Sequence, residues 1–224
     1  MVISTLKKEG LYDDAVILFG SDHGEMLGSH CLYQKMCMYE EATHIPLTVK
    51  LPKGMEQAKE CGEIVSLIDV LPTLCDLLEM EMPSGIQGMS LLPCMREDRN
   101  AGQGMNAGKD GKLPRDHVFL QFDGNGARGN FQRAVVRDRN KLIVDLFKDE
   151  IFFELYDVVS DPQEKHNLAY DEPDNVKQLF GVLRRHMDKT SDMVRFSASD
   201  YEKFRKSTEP YREGMRRFTK TDWC

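Results

Sequence analysis

Residues 15–24 read Ala-Val-Ile-Leu-Phe-Gly-Ser-Asp-His-Gly, an apolar run that ends abruptly in small and polar residues. A short continuous apolar run is typical of a strand that is buried on both faces, as in a parallel sheet. In α/β folds, ligands bind in the crevice outside the carboxyl ends of such strands. Gly20 and Gly24 allow the backbone to turn sharply around the polar residues between them. The stretch therefore predicts an α/β fold with a ligand site directly after the strand.

Three side chains near the end of this strand are suited to bind a metal ion and an anion. Asp22 and His23 offer a carboxylate oxygen and an imidazole nitrogen to one metal ion. Lys35, twelve residues after His23, supplies a cation that can reach an anionic substrate on that metal. Taken alone, however, an Asp in this position is equally typical of a surface turn, and a single Lys is typical of a solvated surface.

Periodicity predicts the remaining elements. A helix is expected at 2–10 and a second strand at 45–50. A helix capped by Asp69 has an apolar stripe of Leu71, Leu74, Cys75 and Leu78. Four strand-like runs follow at 117–122, 131–137, 141–147 and 151–156. The gaps between the last three are of hairpin length, which demands antiparallel pairing. A helix beginning near Pro173 has a buried stripe of Val176, Leu179, Phe180, Leu183 and Met187.

Three blocks of sequence, in the same order, resemble the C-terminal half of sulfatases in the alkaline-phosphatase superfamily. The first is SDHGEMLGSHCLYQKMCMYEEATHIPLTV at 21–49, and the second is SLIDVLPTL at 66–74, which runs on to GIQGMSLL at 85–92. The third is ELYD at 154–157, with DPQE at 161–164 and NLA at 167–169. Together the blocks cover about residues 1–190 of the chain.

The resemblance implies an α/β fold, the C-terminal part of an alkaline-phosphatase-like sandwich with a small C-terminal antiparallel sheet and a helix. Residues 1–112 would complete the α/β catalytic domain, and 113–190 would form the small antiparallel subdomain with its covering helix. Residues 191–224 are expected to be a polar C-terminal extension. The Gly-, Asn- and Lys-rich composition between Arg96 and Arg115 independently indicates a boundary there.

The resemblance also implies a role for each candidate residue. Asp22 and His23 are expected to bind a divalent metal, with Ca²⁺ as the family expectation and Mn²⁺ or Mg²⁺ left open by the imidazole ligand. Lys35 is expected to contact the sulfate ester. His30 either assists at the leaving-group oxygen, since imidazole titrates near neutrality, or holds the loop by a hydrogen bond. The implied activity is hydrolysis of sulfate esters of small molecules or carbohydrates, with a formylglycine nucleophile.

Two features of the sulfatase pattern are not found in this sequence. They are the N-terminal pair of Asp ligands and the Cys-x-Pro/Ala-x-Arg segment whose Cys becomes formylglycine; none of the six cysteines stands in that context. We therefore expect the chain alone to be inactive. Two rival readings stay open: a phosphonate or phosphate ester hydrolase of the same superfamily, and a non-catalytic fragment that needs a partner half.

The composition of the chain indicates which classes of partner and which cellular location to expect. The net charge of −7 and the pI of about 5.4 argue against a nucleic-acid surface. No apolar run is long enough to span a bilayer. No signal peptide is visible in this sequence, although an N-terminal half of the complete enzyme is compatible with one. The cysteines show neither zinc-site nor disulfide spacing, which mildly favours buried thiols and a cytoplasmic location. The sequence leaves homo-oligomerisation open.

Overall fold

The computed structural model describes residues 1–55, 57–58, 60–95, 113, 115–124, 129–148 and 150–208. The helices are α1 (Val2–Lys8), α2 (Glu40–Thr43), α3 (Val70–Leu77), α4 (Leu92–Met95), α5 (Pro173–Lys189) and α6 (Ala198–Thr208). The strands are β1 (Ile17–Gly20), β2 (Leu47–Lys50), β3 (His117–Phe122), β4 (Asn130–Arg137), β5 (Asn140–Phe147) and β6 (Glu150–Asp157). None of the described helices is both long enough and apolar enough to cross a membrane.

The chain divides into two compact units. The first unit consists of Met1–Asp22 and Pro46–Asp116, and the second consists of His23–Ile45 and His117–Cys224. The segment that carries His23, His30 and Lys35 thus groups with the C-terminal sheet. The predicted division into domains at residues 112 and 190 refers to the complete enzyme, and it stays a prediction. Most of the predicted boundary loop lies outside the described residues.

In the first unit, β1 and β2 pair antiparallel, with Ile17 opposite Lys50 and Gly20 opposite Leu47. The partner of β1 within this chain is therefore antiparallel, although a continuous apolar run is typical of a parallel sheet. An antiparallel strand at the edge of an otherwise parallel sheet is common in α/β proteins. The expected burial of β1 is wrong, since Phe19 is 68% exposed. None of the described elements covers this side chain.

Helix α3 forms where the sequence predicts it, but its buried face differs. The side chains of Pro72, Thr73 and Cys75 are buried, whereas Leu71 and Leu78, members of the predicted stripe, are exposed. The Thr73 hydroxyl accepts a hydrogen bond from the Leu91 amide at 2.9 Å. This bond places the side of α3 that carries Thr73 against the segment around Leu91. The cap also starts earlier than predicted, because Ser66 and Asp69 form a capping box around a preceding turn of 3₁₀ helix.

In the second unit, the four strands pair in the order β3-β4-β5-β6, and every pair is antiparallel. All four strands lie within two residues of their predicted positions. One face of the sheet packs against α5, whose buried residues are the five that the periodicity predicts. The predicted antiparallel sheet and covering helix are thereby confirmed.

The predicted polar extension contributes to this same core. Val194, Phe196, Tyr201 and Phe204 are buried with the α5 side chains, and the last two belong to α6. The scattered aromatic residues of this segment are therefore core residues as far as the structure describes it, up to residue 208. The rest of the extension lies outside the described residues.

The opposite face of the sheet is covered by the segment His23–Ile45. Its buried side chains share one core with residues of β4, β5 and β6: Met26, Cys37, Met38, Tyr39, Ala42, Ala134, Ile143 and Tyr156. The segment is thus a packed layer of the second unit, although it contains little regular secondary structure. This layer positions the candidate site.

Candidate functional site

His23 and Lys35, predicted from the sequence to act together, are in direct contact. Lys35 Nζ lies 2.8 Å from His23 Nε2. The other ring nitrogen, Nδ1, lies 2.8 Å from the carbonyl oxygen of Gly24. A carbonyl oxygen only accepts hydrogen bonds and an ammonium only donates them, so Nδ1 carries the proton and Nε2 presents its lone pair. The surroundings of the ring therefore select one tautomer.

Asp22 lies two residues after β1, in the first unit, and its side chain is exposed. His23 follows it directly in the sequence and begins the second unit. The pairing of the two as ligands of one metal ion stays a prediction.

The His30 ring is held by neighbouring residues of its own segment. It stacks on the Tyr39 ring with a centroid separation of 4.1 Å and an interplanar angle of 1°. Its Nε2 lies 3.9 Å from Glu41 Oε1, and the side chain is 7% exposed. His30 has a φ of +51°, a left-handed conformation that is uncommon outside glycine. Both alternatives for His30, assistance at the leaving-group oxygen and a hydrogen bond that holds the loop, stay predictions.

The backbone after His23 is fixed by α2. Gly24 N–H donates to Ala42 O at 2.8 Å, and Glu25 N–H donates to Glu41 O at 2.9 Å. A Cβ atom on Gly24 would lie 1.9 Å from Glu41 O, which is far inside contact distance. Only glycine allows the two backbones to approach this closely. Short helix α2 and residues 24–25 are therefore one rigid connection.

A buried ionic cluster, which sequence reasoning missed, holds α2 on the sheet. Lys141 Nζ contacts Glu40 Oε1 at 2.8 Å and Glu164 Oε1 at 3.1 Å. The Glu40 amide donates to Glu164 Oε2 at 2.6 Å. The side chains of Lys141 and Glu164 are completely buried. The sequence offered one weak signal, a lysine directly before the apolar run Leu142–Val144 of β5.

A second buried group lies beside this cluster. Glu154 Oε2 accepts hydrogen bonds from the hydroxyls of Tyr39, at 2.8 Å, and Tyr156, at 2.5 Å. Burial raises the pKa of Glu154, and the Tyr156 hydrogen bond opposes that rise. Burial, together with the nearby Glu154 carboxylate, also raises the pKa of Tyr156. Tyr156 is therefore a hydrogen-bond donor at neutral pH, and the pair ties the start of α2 to β6.

The donor set for a metal ion is only partial in this chain. Within the described parts of the chain, no group of three or more His, Cys, Asp or Glu side chains is arranged to hold a metal ion. One feature nevertheless fits a ligand. Histidines that bind metals usually donate their second ring N–H to a carbonyl or carboxylate, as His23 donates to Gly24 O. The role of His23 as a metal ligand stays a prediction.

Comparison with known proteins identifies the family. The family model described as "N-sulphoglucosamine sulphohydrolase, C-terminal" matches residues 28–193. The chain belongs to this sulfatase family, as the three sequence blocks predict. It is 30% identical to arylsulfatase K of Xenopus laevis over 188 residues, which are 84% of this chain and 34% of that protein. The chain thus spans about a third of the length of the curated relatives it matches.

Two solved structures share the fold. A structure of BT4656 in complex with its substrate D-glucosamine-2-N,6-O-disulfate has a TM-score of 0.66 and 28% identity, over 86% of this chain and 38% of that one. The phosphonate monoester hydrolase SpPMH of Silicibacter pomeroyi has a TM-score of 0.66 and 25% identity, over 88% and 40% of the two chains. The predicted fold class, the C-terminal part of a sulfatase α/β fold, is confirmed.

Proposed function

We propose that this chain is the C-terminal portion of a sulfuric ester hydrolase that acts on sulfated carbohydrates. The contact between His23 and Lys35 carries the proposal. It places an imidazole that is suited to bind a metal ion 2.8 Å from an ammonium that is suited to bind an anion. The family match supports the reaction class. The sulfated amino sugar bound by BT4656 supports the substrate class.

Asp22 and His23 are this chain's proposed ligands for a divalent metal ion, with Ca²⁺ preferred. A bound metal ion would polarise the oxygens of the sulfate group and activate the nucleophile. The Nδ1 hydrogen bond to Gly24 O supports the assignment of His23, since it leaves Nε2 free of a proton. The remaining donors, and the formylglycine nucleophile, are proposed to come from the N-terminal half of the complete enzyme.

Lys35 is the proposed contact for the ester. Nε2 of His23 has a single lone pair, so its contact with Lys35 and its use as a metal ligand exclude each other. Ligation would therefore release the Lys35 ammonium, which is on an exposed side chain, toward an anionic oxygen of the substrate. A cation in that position offsets the charge that develops on the leaving oxygen.

One rival activity has a specific observation in its favour. The likeness to SpPMH is equal in TM-score to the likeness to BT4656, so phosphonate ester hydrolysis is the second candidate. The lower sequence identity, 25% against 28%, and the sulfatase family match favour the sulfate ester.

The test compares two substrates in the unchanged protein and in four variants. The complete gene product is assayed with an aryl sulfate and an aryl phosphonate monoester in the presence of Ca²⁺. We expect preference for the sulfate, loss of activity and of bound metal in Asp22→Ala and His23→Ala, and retained metal in Lys35→Ala. The rate of Lys35→Ala should fall by roughly 10²–10³, as for other single positioned electrostatic contacts.

Lys203→Ala is the matched control, because Lys203 is an exposed lysine of the same unit that pairs with Asp200. It should leave both rates unchanged. Preference for the phosphonate would support the rival activity. Equal metal loss in Lys35→Ala and His23→Ala would contradict the assigned roles. The 224-residue chain alone should show no turnover.

A further inference from the structure

The ammonium of Lys141 is surrounded by oxygens of the second unit. It donates hydrogen bonds to Glu40 Oε1 at 2.8 Å and to Thr43 Oγ1 at 3.2 Å, and it forms an ion pair with Glu164 Oε1 at 3.1 Å. Two of these oxygens belong to α2, and the third belongs to the loop after β6. Lys141 itself lies on β5 and is completely buried. The ammonium thus joins three separate segments at one point.

Glu164 completes the connection. Its second carboxylate oxygen accepts the N–H of Glu40, the first residue of α2, at 2.6 Å. Glu164 has a φ of +49°, and its own amide donates to Asp161 O at 2.9 Å, so a tight turn presents its side chain. Both ends of α2 are therefore held: Glu40 by Glu164 and Lys141, and Thr43 by Lys141.

The same helix determines where His23 lies. The carbonyls of Glu41 and Ala42 accept the amides of Glu25 and Gly24. The carbonyl of Gly24 in turn accepts Nδ1–H of His23, and Nε2 meets Lys35. Lys141 and the imidazole are thus connected by a series of hydrogen bonds on either side of α2, and the covalent backbone of α2 joins the two sides. No step in this series exceeds 3.2 Å.

We propose that Lys141, Glu164 and Glu40 form a positioning cluster that fixes the tautomer and orientation of His23, and through it Lys35, by holding α2 against the sheet. None of the three is a catalytic residue. Their importance for activity rests on the proposed function, but the effect on His23 does not. An ordinary buried ion pair stabilises the fold as a whole. This cluster is proposed, in addition, to orient the His23 imidazole through α2.

The test measures His23 directly in the 224-residue chain. Long-range ¹H–¹⁵N NMR of ¹⁵N-histidine-labelled protein distinguishes the Nδ1–H tautomer from the Nε2–H tautomer, and His23→Gln assigns the signal. In the wild type we expect the Nδ1–H tautomer. In Lys141→Met the population ratio should shift toward Nε2–H by roughly fivefold, the factor that corresponds to one net hydrogen bond of about 1 kcal/mol.

Two further variants separate positioning from stability. Lys141→Met removes the cation from the buried Glu164 carboxylate and the partly buried Glu40 carboxylate, so it also destabilises the fold. Lys141→Met/Glu164→Gln removes one of those charges and should recover much of the stability, while the tautomer ratio stays shifted because the link from Lys141 to Glu40 and Thr43 is still absent. Lys177→Met, on an exposed position of α5, is the control and should leave the His23 signal unchanged.

The outcomes are distinct. A His23 signal that is unchanged in the folded double variant would overturn the proposal, as would a ratio that recovers together with the melting temperature. If Lys141→Met does not fold, the double variant alone decides. A shifted His23 signal together with a gene product that cleaves neither ester would support the positioning cluster and reject the sulfatase proposal.

Discussion

The two sheets of this protein differ in how their faces are covered. In the second unit, α5 and α6 cover one face of the four-stranded sheet and the segment His23–Ile45 covers the other, so that Val135, Leu142 and Val144 are completely buried. In the first unit, the strand pair β1–β2 leaves Leu18 and Phe19 exposed among the described residues. Since a core stabilises a fold in proportion to the apolar area it removes from water, the second unit holds most of the stability.

Each unit contains a buried ion pair. The second unit buries Arg133 between Asp192 and Asp123, and the first unit buries Asp69 against Arg115. Lys53 and Asp13 of the first unit, in contrast, pair at an exposed position. A buried pair is costly to break because one charge remains without a partner, while an exposed pair is solvated in any case. The following predictions use matched changes in the two units.

The largest effect is expected from Arg133→Met. The guanidinium donates to both Asp192 oxygens, at 2.6 and 2.7 Å, so its removal leaves a carboxylate that is 5% exposed without its cation. The free energy of unfolding should fall by roughly 3–5 kcal/mol. Urea unfolding followed by circular dichroism measures it. Lys53→Met, which removes an exposed pair in the first unit, is the control and should barely move the midpoint. Similar losses in both variants would refute the contrast between a buried and an exposed pair.

A smaller effect is expected from truncation of the apolar core. Leu142→Ala creates a cavity at a fully buried position of β5 and should cost about 2–5 kcal/mol. Leu71→Ala, on the exposed side of α3, should change stability by no more than about 0.5 kcal/mol. The same urea curves compare the two. If Leu71→Ala were the more damaging, α3 would be packed against a surface that the described residues do not include.

A third effect is a pH dependence at Glu164. Burial raises its pKa from the ordinary 4.5 to about 7, although Lys141 lowers it. Between those pH values the folded chain keeps a proton that the unfolded chain has released, so the free energy of unfolding falls as the pH rises from 4.5 to about 7 and then levels off. Glu40 and Lys141 face the carboxyl group, and His44 contacts Glu40 at 2.8 Å.

Glu164→Gln, which mimics the protonated side chain, should remove this slope. Thermal unfolding of the wild type and the variant across that pH range gives the difference. Exposed Glu172→Gln serves as the control and should run parallel to the wild type. A wild-type curve parallel to that of Glu164→Gln would mean that the carboxylate remains ionised beside Lys141 throughout.

Local patterns were sufficient for much of the second unit. The stripe of α5 from Val176 to Met187 follows from a repeat of 3.6 residues, and the hairpin gaps around Asp138 dictate antiparallel pairing. The same method failed at α3, where Leu71 and Leu78 fit the apolar repeat but are exposed. Periodicity identifies a face that favours burial, but it does not say whether any element covers that face.

The amino-acid sequence by itself determined the family, the strands and helices of the second unit, and the candidate residues Asp22, His23, His30 and Lys35, because these depend on neighbours within a few positions or on motifs of fixed spacing. Only the tertiary structure decided that Lys141 forms ion pairs with Glu40 and Glu164. It also decided that Lys35 Nζ contacts His23 Nε2. Glu40 and Lys141 are 101 residues apart in sequence. Such a buried pair forms only when packing removes water from three segments at once, and no local pattern encodes that event.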